Sequence, residues 1–178
     1  MQKAYPKLGK PLTKMSLPFM NLGNKSHLYL IIWTLGLIAI GGVIGSLTKS
    51  DISTWYNTLI RSTLTPANYV FPIAWTILYG IIGVCGWLIW RPKAFPRLSI
   101  IKTLYLAQLI LNWSWTPLFF HYHLTGLSLI VLVAMDILVG TIICITYQKM
   151  RAVSLLMLLY LLWILFASYL NFYIWQFN

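Results

Sequence analysis

The chain has 178 residues, 60% hydrophobic and 8% charged, with thirteen Lys and Arg against two acids for a formal net charge of +11. Soluble domains carry about 25% charged residues, so a water-soluble globule is excluded, and a length near the roughly 150 residues of one domain leaves a single compact unit. The cations stand in short gaps between apolar runs instead of on one solvated face, which excludes nucleic acid as partner and points to a lipid bilayer.

Residues 1–27 are basic, contain prolines and no acid, and read as a disordered arm lying against anionic headgroups. The following apolar run is too long for the h-region of a cleaved signal peptide, and the arm lacks the arginines of a mitochondrial presequence. Five stretches then reach the roughly 20 apolar residues that cross a bilayer core of about 30 Å. They are residues 28–47, 71–90, 100–120, 127–147 and 153–175. Lys49-Ser50 follows the first, Pro72 opens the second and Arg91-Pro92 closes it, His121 to Gly126 follows the third, and Lys149 and Arg151 follow the fourth. None of the runs alternates as a membrane strand does. The expected fold is all-α, an integral membrane bundle of five transmembrane helices over 28–178, with a lid-like loop at 48–70.

Along that path one side collects eleven Lys and Arg: Lys3, Lys7, Lys10, Lys14, Lys25, Arg91, Lys93, Arg97, Lys102, Lys149 and Arg151. The other side has two, Lys49 and Arg61. In a bacterial-type plasma membrane this bias puts the N-terminus in the cytoplasm and the C-terminus outside.

The lid carries Trp55, Tyr56, Pro66, Asn68 and Tyr69 on the sparsely charged side. Trp and Tyr there form either an interfacial belt or the roof of a site. Counting inward at about 1.5 Å per residue, Tyr79, Asn112 and Ala167 on three different spans all lie roughly 12 Å below the surface. Trp75 and Tyr79 are i,i+4, Asn112 and Trp115 i,i+3, and Trp163 and Ala167 i,i+4, so each pair shares a helix face. The same spacing serves core packing. If the faces converge, they wall a cavity suited to a planar, largely apolar ligand.

Asp136, the one acid within a span, is either a functional carboxylate or a hydrogen-bonded tie between helices, the second being preferred. Asn112 has the same two readings. His121 and His123 lack a third metal ligand and read as interfacial. Gly41 and Gly45 form a GxxxG, and Gly80, Gly83 and Gly86 recur in the second span, allowing close helix contact within or between protomers. Cys85 and Cys144 lie inside apolar runs and form no CxxC. No Walker A, GxGxxG, HExxH or GxSxG pattern occurs, so no catalytic or metal residue and no cofactor is expected.

From Gly41 to the C-terminus the chain resembles the TspO/MBR family, the tryptophan-rich sensory protein or translocator protein family that includes the peripheral-type benzodiazepine receptor. The matching stretches are Gly41 to Ser46, Trp55-Tyr56 with Leu59, Pro66 to Thr76 with Leu78-Tyr79, Gln108-Leu109 with Leu111-Asn112, Phe119-Phe120, and Trp163 with Phe166-Ala167 and Leu170-Asn171. The resemblance implies a five-helix bundle that binds tetrapyrroles such as protoporphyrin IX, sterols in some members and benzodiazepine-type drugs, often as a homodimer. The ligand site it implies comprises Trp55, Tyr56, Trp75, Tyr79, Asn112, Trp115, Trp163, Phe166 and Ala167.

The chain departs from the family pattern in having Arg61-Ser62 for Lys-Pro, Leu64 and Tyr69 for Trp, and Ala67, Ile73 and Leu159 for Pro. Losing the last two prolines straightens the helix starts they would kink. The weak sterol-type pattern of Tyr followed by a basic residue fails at the C-terminus, since no Lys or Arg follows Arg151. The leading expectation is a membrane receptor or carrier for a porphyrin-type ligand. The alternatives are an enzyme-like, light-dependent porphyrin breakdown with Trp75 or Trp163 as redox partner, and a sensory or scaffolding protein whose partner meets the basic loops.

Overall fold

A computed structural model describes residues 24–92 and 97–178; residues 1–23 of the arm expected at 1–27, and Lys93, lie outside the described residues, while residues 24–27, expected in the arm, begin the first helix. Helix α1 spans Asn24–Leu47 and is followed by a short α2, Lys49–Thr54, and a 3-10 turn, Tyr56–Thr58. Then come α3, Val70–Trp90, α4, Leu98–Thr116, running into a π-helical turn, Pro117–His121, α5, Thr125–Thr146, and α6, Arg151–Phe177. The five expected long helices are therefore present, and α1, α3, α5 and α6 are long and apolar enough to cross a membrane. Helix α4 is more polar because Gln108 and Asn112 interrupt its apolar run, and both are buried inside the bundle while Leu106 and Ile110 look outward.

Around the bundle the neighbours run α1, α3, α6, α5, α4, with α5 on α6 the broadest contact and α4 closing the ring on α3 and α1. Large apolar side chains such as Ile32, Ile77, Ile110, Ile130 and Leu155 cover the outside. That surface would be unstable in water and matches a lipid solvent. Pro72 falls in the first turn of α3, where its missing N–H breaks no helical bond. Pro117 sits inside a helical path, and the chain widens there, with the Tyr122 N–H donating to the Pro117 carbonyl at 3.0 Å. A π-turn absorbs the proline without ending the helix.

Small residues let α1 reach α3. A Cβ at Gly83 would stand 2.9 Å from the Thr34 Cα, and one at Gly41 would run into the Tyr79 ring. Gly45, the other member of the GxxxG, meets nothing within 4 Å.

At one end of the bundle gather Arg91, Arg97, Lys149 and Arg151, with Arg91 lying 4.5 Å over the Trp87 ring and Lys102 5.2 Å from that of Trp90. At the other end lies the 48–70 loop, tied down at several points. The Ile60 N–H donates to Asn178 Oδ1 at 2.9 Å, and Ser62 Oγ and Tyr169 Oη are 2.9 Å apart. Across the loop, Asp51 Oδ2 lies 3.8 Å from His121 Nδ1, and Trp55 stacks on His123 at 4.0 Å between ring centroids.

Candidate functional site

Tyr105, Gln108, Asn112 and Trp115 recur at i, i+3, i+7 and i+10 and so share the inner face of α4. Their polar atoms are joined to the neighbouring helices. Tyr79 Oη on α3 donates to Asn112 Oδ1 at 2.6 Å, Asn112 Nδ2 donates to Tyr160 Oη on α6 at 2.9 Å, and Tyr160 Oη donates to Gln108 Oε1 at 3.1 Å. One turn below, Tyr105 Oη donates to the Ile82 carbonyl at 2.9 Å. Asn112 is thus a three-helix tie, and buried amides and phenols without such partners would each cost about 1–3 kcal/mol.

Above this network the rings form a continuous aromatic layer. Trp75 lies 5.9 Å from Tyr79 and 6.2 Å from Trp115, and Trp115 stacks on Phe119 at 5.4 Å. The π-turn directs two consecutive rings, Phe119 and Phe120, towards the lid, where Tyr56 meets them edge-on at 6.2 and 5.5 Å. Tyr56 is 5% exposed. Burial pushes its phenol above the usual value, and the hydrogen bond and charge of Arg61 pull it partly back. Trp115 is oriented by its Nε1–H, which donates to Asn171 Oδ1 at 3.1 Å, and Ser128 Oγ donates to the same oxygen at 3.0 Å.

Two cavities are lined by residues outside the layer. One, of about 530 Å³, is an apolar groove between α3 and α6 lined by Ala74, Ile77, Leu78, Ile81, Leu159, Leu162, Trp163 and Phe166. The other, of about 490 Å³, lies within the lid and is lined by Leu59, Arg61, Ser62, Thr65, Pro66, Ala67 and Asn68. Among the described residues, the buried Trp163 Nε1 and Gln108 Nε2 have no hydrogen-bond partner.

The nine residues singled out from the sequence therefore fall into groups. Tyr56, Trp75, Tyr79 and Trp115 join in one layer and Asn112 ties it from below. Trp163 and Phe166, 5.9 Å apart, open onto the α3–α6 groove, with Phe71 6.4 Å from Trp163, and Ala167 is buried a turn further along α6. Trp55 turns towards His123 and meets the layer at Phe119, at 5.6 Å. Asp136 accepts a 2.8 Å hydrogen bond from Ser168 Oγ and ties α5 to α6. Phe119, Phe120, Tyr160 and Gln108 belong to the site and were not among the nine. The i,i+4 pair Gln108 and Asn112, polar in an apolar span, is the signal that marks this face.

These features define a class: an integral, multi-pass helical membrane protein with an aromatic layer beneath a tethered loop. The TspO/MBR family profile matches residues 33–176, and the chain belongs to that family. It is similar to the tryptophan-rich protein TspO of Archaeoglobus fulgidus, 38% identical over 151 residues that cover 85% of this chain and 97% of that one. The translocator protein of Bos taurus is 30% identical, covering 80% and 86%. The tryptophan-rich sensory protein of Cereibacter sphaeroides is 31% identical, covering 72% and 78%.

Proposed function

We propose that this protein is a membrane receptor or carrier for a porphyrin-type tetrapyrrole, held between α3, α4 and α6 under the lid. The supporting observation is the aromatic layer of Tyr56, Trp75, Tyr79, Trp115 and Phe119, with Trp163 presenting an unpartnered indole N–H beside the groove. Flat π-surfaces bury a planar apolar ring, and a few polar groups fix its orientation. A guest acceptor at Trp163 Nε1 removes the cost of a buried donor without a bond. The α3–α6 groove offers a route from the membrane, where an apolar macrocycle concentrates.

Protoporphyrin IX titrated into purified protein is expected to quench tryptophan fluorescence saturably, and Trp163→Phe, which keeps a ring and removes the N–H, to weaken binding about tenfold. Absence of saturable quenching in the wild type overturns the reading. Illuminating the complex and following porphyrin absorbance separates binding from light-driven breakdown.

A further inference from the structure

The lid cavity is polar, has one cation among its lining residues and meets the aromatic layer where Arg61 reaches Tyr56. Arg61 is half-buried, its guanidinium carbon 5.1 Å from the centre of the Tyr56 ring. The chain has two acids in all. Asp51 faces His121 and Asp136 is hydrogen-bonded to Ser168 within the bundle; among the described residues the Asp51–His121 contact is the one ion pair. Among the described residues no carboxylate lies within ion-pair distance of Arg61, so its partly desolvated charge is left without a direct counter-ion. Lys49, the other cation at this end, is exposed on α2 and does not line the cavity.

The frame that carries Arg61 is fixed on both sides. The Ile60 N–H and carbonyl are bonded to the Asn178 amide at 2.9 and 3.2 Å, and Ser62 Oγ meets Tyr169 Oη while also accepting the Leu64 N–H at 3.2 Å. With the backbone on either side of Arg61 fixed, binding there has only the arginine side chain to order. Its charge lies over the Tyr56 ring, and a guanidinium's N–H donors form a fork that fits a carboxylate. The aromatic layer below cannot offer this, because π-faces are negative and repel an anion.

We propose that the Arg61 cavity is an anion subsite that takes an ionised carboxylate of the guest, so that the site selects acidic macrocycles over neutral ones. This rests on the reading of the aromatic layer as a tetrapyrrole site. The guest would lie with its ring under Tyr56 and its acidic edge towards the lid. Arg61 acts as a specificity residue.

The test compares protoporphyrin IX with its dimethyl ester, which keeps the ring and removes both charges, on the wild type, Arg61→Gln and Arg61→Lys in neutral detergent. The wild type is expected to prefer the diacid. Arg61→Gln should weaken diacid binding about tenfold or more, the size of one charge-assisted hydrogen-bonded pair, and leave the ester unchanged. Arg61→Lys, with charge but no fork, should fall between. Retained ester binding shows that the variant is folded.

Unchanged diacid affinity in Arg61→Gln overturns the subsite while leaving the tetrapyrrole reading intact. Equal losses for diacid and ester also overturn it, since Arg61 would then act by holding Tyr56. If the wild type binds neither porphyrin, the functional reading fails and the subsite falls with it. Repeating the titration with phosphatidylglycerol in the micelle tests a lipid phosphate as the occupant. A diacid preference that persists supports the guest's carboxylate, and one that vanishes overturns it.

Discussion

Asn112 joins phenols from two other helices through a single amide, 2.6 Å from Tyr79 Oη and 2.9 Å from Tyr160 Oη. Asn112→Ala leaves the Tyr79 hydroxyl without its acceptor and opens a gap on the inner face of α4. A loss of about 3 kcal/mol of stability is expected from the orphaned polar groups, read as a lower thermal midpoint in detergent. An unchanged midpoint would show that these hydrogen bonds add no net stability. Tyr56 makes the corresponding statement for the lid. Its phenol is raised by burial, so the folded state holds the proton longer than the unfolded chain, and stability falls as pH climbs. The contribution is complete below the ordinary tyrosine value of about 10 and is lost as pH rises through the higher folded value. Tyrosinate absorbance of the wild type minus Tyr56→Phe should therefore show one late-titrating phenol, and ionisation at the ordinary value would mean that the lid is open in solution.

At the level of elements, glycines on α3 decide how closely α1 can approach. Gly83→Ala would place a methyl 2.9 Å from the Thr34 Cα, which only movement of α1 can relieve, whereas the open surroundings of Gly45 tolerate a methyl. Overpacking of this kind costs about 1–3 kcal/mol. Gly83→Ala is expected to lower the thermal midpoint and Gly45→Ala to leave it unchanged; equal effects would mean that the α1–α3 seam is looser than described. The sequence marked both glycines as small residues and could not say which one meets a neighbour, because helical spacing gives a face and no partner. The π-turn was hidden for a related reason. The expected span 100–120 runs through Pro117 as a plain helix, and spacing alone does not show the widening there that turns Phe119 and Phe120 towards Tyr56. The pairings of Trp55 with His123 and Asp51 with His121 depend on how a loop folds back over residues some 70 positions away. No local pattern records them.

For the whole molecule, hydropathy carried most of the information. Five helices, their order and the two ends they define follow from apolar runs long enough for a bilayer and from the breaks between them, since lipid leaves a backbone few alternatives to the helix. Equal depth placed Tyr79, Asn112 and Ala167 at one level, and shared helix faces added Trp75, Trp115 and Trp163, but neither could distinguish the inner layer from the α3–α6 groove, where Trp163 and Phe166 lie. That distinction requires rotation about each helix axis, which tertiary contacts set. Orientation in the membrane is a matter of charge: the end with Arg91, Arg97, Lys149 and Arg151 carries the excess of cations, while Lys49 and Arg61 stand at the lid end. Cations resist transfer across the membrane, so the lid should face outward and the basic end the cytoplasm. Cys144→Ser removes the exposed thiol and leaves Cys85 buried, giving a background for single reporters. In intact bacterial cells Ser50→Cys, at the lid end, should react with a membrane-impermeant maleimide, and Gln148→Cys, at the basic end, only after the membrane is broken. The opposite labelling pattern would place the lid, and with it the Arg61 cavity, on the cytoplasmic side, where a guest would have to arrive from within the cell.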